Sequence, residues 1–170
     1  MSDERDARPH PPPEYELFYS EAAFQAAVDR LLAQDGRELR IFDPDLAPLR
    51  LNSPERVARI ERFLQSSRTR RLYLATHDTS HLSGHCPRMT ALFKRFSHAI
   101  QVQRTHDEIR ELRDSFLVLD ALQFVRRPEA ASWRGVICLD DRNEAYAMHA
   151  RFQEIWAASY PAVPPTTLGL

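Results

Sequence analysis

The segment Arg113-Asp114-Ser115-Phe116-Leu117-Val118-Leu119-Asp120 carries the clearest structural signal in this chain. Its apolar centre, from Ser115 to Leu119, has the length and composition of a buried strand. A second apolar run, from Leu122 to Val125, follows after only Asp120 and Ala121. Asp tolerates the backbone of a tight turn, so the two runs predict a β-hairpin that turns at Asp120-Ala121.

On both sides of this hairpin, apolar patterns with a helical period alternate with short strand-like runs. Helix starts are predicted at Ser20, at Ser53 before Pro54, at Cys86 before Pro87, at Thr105 with Glu108, and at Asp141 with Glu144. The other predicted strands run from Glu38 to Phe42, Arg71 to Ala75, Ile100 to Val102 and Trp133 to Leu139. Alternating strands and helices with a hairpin predict a single α/β domain with a mixed β-sheet flanked by helices. We expect it to span residues 15–159, between a disordered tail over 1–14 and an extended tail over 160–170.

Composition excludes some classes of protein. The 170 residues carry a net charge of −1, but residues 1–45 hold five basic and eleven acidic side chains, and residues 46–170 hold eighteen and thirteen. Lys94 is the single lysine, and all other basic residues are arginines. This preference for arginine reflects either a GC-rich genome or a use of planar guanidinium groups to recognise phosphate. The sequence has no run that would insert into a membrane and no secretory signal, and its two cysteines do not form a disulfide framework. A cytoplasmic protein is therefore expected.

Acidic residues follow three of the predicted strands. Asp43, Asp78 and Asp140 come after the strands that begin at Glu38, Arg71 and Trp133. Ligands bind at the carboxyl ends of strands in open α/β sheets, so these acids could hold a metal or transfer protons. Asp also follows strands simply because it caps the next turn or helix, and this second interpretation stays open.

The segment from Thr76 to Cys86 is the richest in polar side chains. His77, His81 and His85 are spaced by four residues, which would place them on one face of a helix as zinc ligands. Ser80, Ser83, Gly84 and Pro87 argue against a continuous helix there, so we predict a polar loop. Such a loop could bind an anion beside the following helix, whose first turn carries Arg88. Alternatively, its polar groups satisfy one another. Arg126 and Arg127, after the hairpin, are expected on a solvated rim, with a phosphate-facing patch as the alternative.

The stretch from Arg113 to Asp120 resembles the catalytic strand of phospholipase-D-like enzymes, His-x-Lys-x-x-x-x-Asp. Arg113 stands at the His position, Ser115 at the Lys position, and Asp120 matches the Asp. The order of elements from Ser20 to Ser159 also resembles one phospholipase-D-like domain. In that family the His attacks phosphorus and the Lys holds the phosphate. Arg113 offers no lone pair, so the resemblance implies phosphate binding by Arg113 without the family's chemistry.

A second resemblance is to an uncharacterised proteobacterial family of such domains, some of which follow an acetyltransferase domain. Phe42-Asp43-Pro44, His77-Asp78-Thr79, Arg95-Phe96-Ser97-His98 and the segment from Pro164 to Leu170 carry it. It implies that the chain could act as an accessory domain of an acetyltransferase encoded elsewhere. Single phospholipase-D-like halves often dimerise, so the first resemblance also implies a homodimer.

The leading hypothesis is a non-catalytic phospholipase-D-like module that binds a phosphate-containing ligand or a protein partner, with nucleic acid left open and no cofactor. The predicted ligand-binding residues are His77, Asp78, His81, His85, Arg88, Arg113 and Asp120. The competing hypothesis is a hydrolase or phosphodiesterase that uses the His77-His81-His85 segment with strand-end aspartates or a metal.

Overall fold

The computed structural model describes residues 12–162. Its helices are α1 (Glu21–Leu32), α2 (Pro54–Gln65), α3 (Ser80–His85), α4 (Pro87–Arg95) and α5 (Arg142–Ala157), with 3-10 turns at Ala47–Leu49 and Asp107–Ile109. Its strands are β1 (Glu14–Phe18), β2 (Glu38–Asp43), β3 (Arg71–Thr76), β4 (Ile100–Thr105), β5 (Ser115–Leu119), β6 (Gln123–Arg127), β7 (Gly135–Leu139) and β8 (Ser159–Pro161).

All eight strands form one mixed sheet in the order β1-β7-β6-β5-β2-β3-β4-β8. β2, β3 and β4 are parallel, and the hairpin β5–β6 is attached antiparallel to β2. Arg40 pairs with Val118 and Phe42 with Phe116, so the predicted hairpin lies at the centre of the sheet. The predicted mixed α/β fold is confirmed.

Two apolar layers cover the sheet. The larger core joins alternate strand residues such as Ile41 and Leu117 to the apolar faces of α1 to α4. The second core joins the intervening strand residues, among them Phe42 and Phe116, to Phe152 and its neighbours on α5. Because alternate residues of a strand point to opposite faces, β5 (Ser115–Leu119), which we call the motif strand, contributes to both cores.

Capping residues fix the helix starts as the sequence indicates. Ser20 accepts a hydrogen bond from the backbone N–H of Ala23, and Ser53 caps α2, whose first residue is Pro54. The Asp141 carboxylate accepts from the N–H groups of Asn143 and Glu144 at the start of α5. Each cap satisfies donors that a helix N-terminus leaves unpaired.

The structure corrects three local predictions. β1 was missed because its first four residues are exposed, so it lacks the pattern of a half-buried strand. Thr105 does not cap a helix; it ends β4, and its buried hydroxyl bonds elsewhere. The predicted polar loop after β3 contains a helix, α3, because Asp78 accepts a hydrogen bond from the Ser80 N–H where α3 begins.

The predicted tails fall largely outside the described residues. Residues 1–11 and 163–170 are not described, whereas Glu14 belongs to β1 and Tyr160 and Pro161 belong to β8. Within residues 12–162, no helix combines the length and apolar character needed to span a bilayer.

Candidate functional site

Most of the buried polar side chains lie at one end of the strands, which we call the strand-end edge of the sheet. β2, β3 and β4 end there, and the antiparallel β5 begins there beside them. The buried polar residues at this edge are Asp43, Thr76, His77, Thr105, Asp114, Ser115 and Arg127. It is the edge at which open α/β sheets bind ligands.

Asp43, the last residue of β2, forms a buried ion pair with Arg127, the last residue of β6. Arg127 Nη2 lies 3.3 Å from Asp43 Oδ2, and both side chains are 1% exposed. Asp43 Oδ1 accepts hydrogen bonds from the backbone N–H groups of Leu46 (2.8 Å) and Asp45 (3.1 Å). The Arg127 guanidinium also donates to two carbonyls of the β6–β7 loop. The expectation that Arg127 lies on a solvated rim is therefore wrong.

Burial and charge oppose each other in this pair. Burial raises the pKa of Asp43, while hydrogen bonds and the charge of Arg127 act to lower it. Burial lowers the pKa of Arg127, and the charge of Asp43 opposes that shift. The Ser115 hydroxyl lies beside the carboxylate and favours its ionised form, although Ser115 Oγ has no hydrogen bond of ordinary geometry. The space beneath the lysine position of the motif strand is thus filled by the protein's own ion pair.

His77 follows β3 and is almost completely buried on the face covered by α5. Its Nε2 lies 2.8 Å from the Leu112 carbonyl oxygen, and its Nδ1 lies 2.5 Å from Thr105 Oγ1. A carbonyl only accepts, so Nε2 must carry a proton, and in the neutral ring Nδ1 accepts from the Thr105 hydroxyl. Phe42 meets the ring edge-on at 5.3 Å. Both ring nitrogens of His77 are therefore engaged within the protein.

Asp114 precedes β5 and is held by α5. Arg151 donates to it from Nε at 2.6 Å and from Nη2 at 2.9 Å, a bidentate pair in which the Asp114 side chain is 3% exposed. The hydrogen bonds to Asp114 raise the pKa of Arg151. This contact fixes the start of the motif strand against the helix that covers it.

The predicted residues of α3 and α4 lie in a different environment from His77. His81 and His85 occupy successive turns of α3, and their ring centroids are 5.4 Å apart. Arg88 is exposed, and its backbone N–H donates to Asn52 Oδ1 at 2.8 Å. Asp78 is also exposed, and hydrogen bonds from Ser80 are the main cause of its lowered pKa. Among residues 12–162, no group of three or more His, Cys, Asp and Glu side chains is arranged to hold a metal ion.

Arg113 and Asp120 lie at opposite ends of the motif strand. Arg113 is exposed at the strand-end edge, next to Leu112, whose carbonyl binds His77. Asp120 has a φ of 55° in the hairpin turn and accepts hydrogen bonds from the N–H groups of Arg37 and Glu38. The strand rise separates Arg113 from Asp120 by roughly 20 Å. Asp120 therefore holds the turn to β2, while His77 and Arg113 share the other edge.

Three arginines, Arg104, Arg110 and Arg113, form what we call the arginine rim of this edge. Arg110 and Arg113 are exposed, and Arg104 Nε donates to the His77 carbonyl at 3.2 Å. The charges of Arg104 and Arg110 contribute to the lowered pKa of Asp78, so both lie within electrostatic reach of it. The sequence did not point to Arg104 or Arg110, because neither belongs to a motif and their proximity to Asp78 arises only in the fold.

The two cysteines are poor nucleophiles. Cys86 is buried, and burial raises the pKa of its thiol. Burial and two nearby carboxylates raise the pKa of Cys138 to about 11. Both thiols are therefore protonated at neutral pH.

Comparison with known proteins identifies related sequences and folds. A family model described as a domain of unknown function (DUF7931) matches residues 20–164. No curated protein matches the chain.

Solved structures of phospholipase D family members share the fold. Nuc from Salmonella typhimurium, a phospholipase D family member, is 12% identical with a TM-score of 0.59, and the match covers 89% of this chain and 99% of Nuc. NucT from Helicobacter pylori is 12% identical with a TM-score of 0.53, covering 89% of this chain and all of NucT. The chain therefore has a phospholipase-D-like fold.

A third similar structure is TrmBL2, an archaeal chromatin protein that shows a novel mode of DNA binding. It is 9% identical with a TM-score of 0.64, and the match covers 87% of this chain and 54% of TrmBL2. The described chain thus spans about half of that larger protein.

Proposed function

Because the chain belongs to the family described as a domain of unknown function (DUF7931) and has a phospholipase-D-like fold, we propose that it is a non-catalytic module that binds a phosphate-containing anion. The binding surface is the arginine rim. One observation carries this proposal: the motif strand presents an exposed Arg113 and a buried Ser115 where the enzymes present His and Lys.

The missing histidine is not replaced by a neighbour. The Arg113 guanidinium donates hydrogen bonds and has no lone pair with which to attack phosphorus. His77 lies at the same edge, but the Leu112 carbonyl and Thr105 engage its two nitrogens. Its role in the proposal is to hold the backbone beside Arg113 in position.

The missing lysine argues for binding at the surface. The Asp43–Arg127 pair fills the space beneath Ser115, so an anion has no charged partner available there. The exposed guanidiniums of Arg110 and Arg113 remain, and Arg–phosphate contacts are strong because they are charge-assisted and bidentate. Arg110 is also paired with Asp107 at 3.0 Å, an exposed contact that a phosphate can displace at little cost. The similarity in fold to TrmBL2, which binds DNA, supports a binding role for this chain.

Calorimetric titration with inorganic pyrophosphate tests the proposal. We expect wild type to bind and Arg113→Gln to lose about 10- to 150-fold in affinity, because a charge-assisted hydrogen bond contributes about 1.5–3 kcal/mol. Arg142→Gln is the matched control, since Arg142 is an exposed arginine at the start of α5. Binding that is absent in wild type, or equal in both variants, would refute the proposal.

The hydrolase hypothesis predicts a different result. An enzyme of this kind would turn over bis(p-nitrophenyl) phosphate, with or without added Zn²⁺, and would lose that activity in His77→Ala or His81→Ala. We expect no turnover above buffer. Turnover that disappears in either variant would replace the binding proposal with an enzymatic one.

The remaining partner hypotheses stay predictions. Light scattering measures the homodimer that the family resemblance implies, and co-purification from the native host measures an acetyltransferase partner. Titration of His81→Ala, His85→Ala, Arg88→Gln and Asp78→Asn with pyrophosphate measures whether these predicted residues contribute. The cytoplasmic location expected from the sequence is likewise a prediction, which cell fractionation checks.

A further inference from the structure

The sheet exposes an aromatic surface on the face of β1. Tyr15 is 64% exposed, Leu17 is 50% exposed and Tyr19, directly after the strand, is 64% exposed. Residues two apart on a strand point to the same side, so these three side chains form one row. Solvent-exposed clusters of large apolar side chains often mark a binding surface.

This row forms one wall of a groove. Helix α5 packs on β2, β4, β5, β6 and β8, and the groove lies beyond it at the β1 side of the sheet. The cavity has a volume of about 480 Å³, which is within the range of ligand sites. Its other walls are Val136 of β7, Arg126 of β6 and the β6–β7 loop with Arg134.

The charge of the groove is positive. Arg126 and Arg134 line it together with one carboxylate, Glu129. Arg126 Nε is buried and has no hydrogen-bond partner, and the Arg134 guanidinium lies 5.7 Å from the centre of the Tyr19 ring. A twofold contact with a second copy through this groove would bring like charges together, so charge complementarity favours an anionic partner.

We propose that this groove binds single-stranded nucleic acid, with bases stacked on Tyr15 and Tyr19 and phosphates held by Arg126 and Arg134. Aromatic platforms beside guanidiniums suit this ligand because every base has a face for stacking and every linkage has a charge. Tyr15 and Tyr19 are about 13 Å apart by the strand rise. A mononucleotide therefore reaches one tyrosine, whereas an oligonucleotide can reach both.

The groove is separate from the arginine rim. It lies on the α5 face of the sheet around β1 and β7, whereas the rim consists of Arg104 in β4 and of Arg110 and Arg113 between β4 and β5. The inference therefore does not depend on the proposed function. Substitutions in the two surfaces distinguish them.

Fluorescence anisotropy with a labelled ten-nucleotide oligo(dT) tests the inference at low salt. We expect Tyr15→Leu and Tyr19→Leu each to weaken binding by roughly 5- to 150-fold, because stacking on one aromatic ring contributes about that factor. Leucine keeps the apolar row and removes only the ring. Tyr146→Leu is the matched control, since Tyr146 is 67% exposed and does not line the groove.

Salt dependence tests the phosphate contacts. Arg126→Gln and Arg134→Gln should each reduce the slope of log affinity against log salt by about 0.7, the value for one phosphate of a single strand. Thymidine monophosphate should compete much more weakly than the oligonucleotide, since it spans one tyrosine.

Several results would overturn the inference. They are the absence of binding, equal binding by the tyrosine variants and wild type, or better competition by poly-glutamate than by the oligonucleotide. Loss of binding in Arg113→Gln, with the tyrosine variants unchanged, would assign nucleic acid to the arginine rim and refute the groove. The inference predicts that the dependence on Tyr15 and Tyr19 persists in Arg113→Gln, whatever the outcome for pyrophosphate.

Discussion

Replacing Arg127 tests the electrostatics beneath the motif strand. Arg127→Gln leaves the Asp43 carboxylate without its cation in a place where both side chains are 1% exposed. Breaking a buried pair by removing one partner lowers the free energy of unfolding by about 3–5 kcal/mol. We expect a loss of that size at pH 7.5, measured by urea unfolding.

The pH dependence separates this effect from lost packing against Phe24 and Trp133. Burial already raises the pKa of Asp43, and removing the Arg127 charge raises it further. A group whose pKa is higher in the folded state than in the unfolded state stabilises the fold at pH values below its unfolded-state pKa. That stabilisation is lost as the pH rises through its folded-state pKa. The variant should therefore recover stability relative to wild type by up to about 1.4 kcal/mol per pH unit of acidification, over the pH interval in which folded Asp43 is protonated in the variant and ionised in wild type.

Two controls complete the experiment. Asp43→Asn with Arg127→Gln should lose less than the two single losses added together, because the neutral amide no longer needs a cation. Arg30→Gln, which breaks exposed pairs with Glu14 and Glu16, should lose under about 1 kcal/mol. The explanation is refuted if the Arg127→Gln deficit does not shrink at any pH as the solution is acidified from pH 7.5 and if the effects in the double variant are additive.

Three substitutions and one thiol reagent test other features of the fold. Gly135→Ala should unfold at lower urea concentration than wild type, since its Cβ would lie 2.2 Å from the Arg126 carbonyl oxygen. In Gly84→Ala the new Cβ meets nothing within 4 Å, so this substitution should stabilise α3 by up to about 1 kcal/mol. Equal urea midpoints for the two variants would contradict this. His77→Ala should lose about 1–3 kcal/mol in urea unfolding because it leaves a buried hydroxyl and carbonyl unpaired, and unchanged stability would show that the network is dispensable. Cys86 should react with a thiol reagent only after unfolding, as burial raises its pKa; rapid labelling of the folded protein would contradict its burial.

Local signals in the sequence were enough for much of the fold. Ser20, Ser53 and Asp141 cap the helices that their positions predict, because capping depends on neighbours three residues away or fewer. The hairpin turn at Asp120 is equally local. β1 could not be predicted because it is stabilised by pairing with β7, more than a hundred residues away.

The candidate site depends more on long-range contacts. Arg127 looks like a surface arginine until the sheet order brings β6 close to the end of β2, where Asp43 lies 84 residues away in sequence. In the sequence, His77 follows one predicted strand and Arg113 precedes another, but the pairing of His77 with Thr105 and Leu112 required the register of β3 and β4. Asp120 directly follows β5 in the sequence, but it lies at the end of that strand opposite to Arg113.

If the arginine rim binds a phosphate-containing anion without cleaving it, an amide NMR titration with inorganic pyrophosphate should detect the binding residue by residue. We expect the largest shifts at Arg104, Arg110 and Arg113, with pyrophosphate recovered intact. Shifts confined to α3 and α4, or release of orthophosphate during the titration, would contradict this expectation.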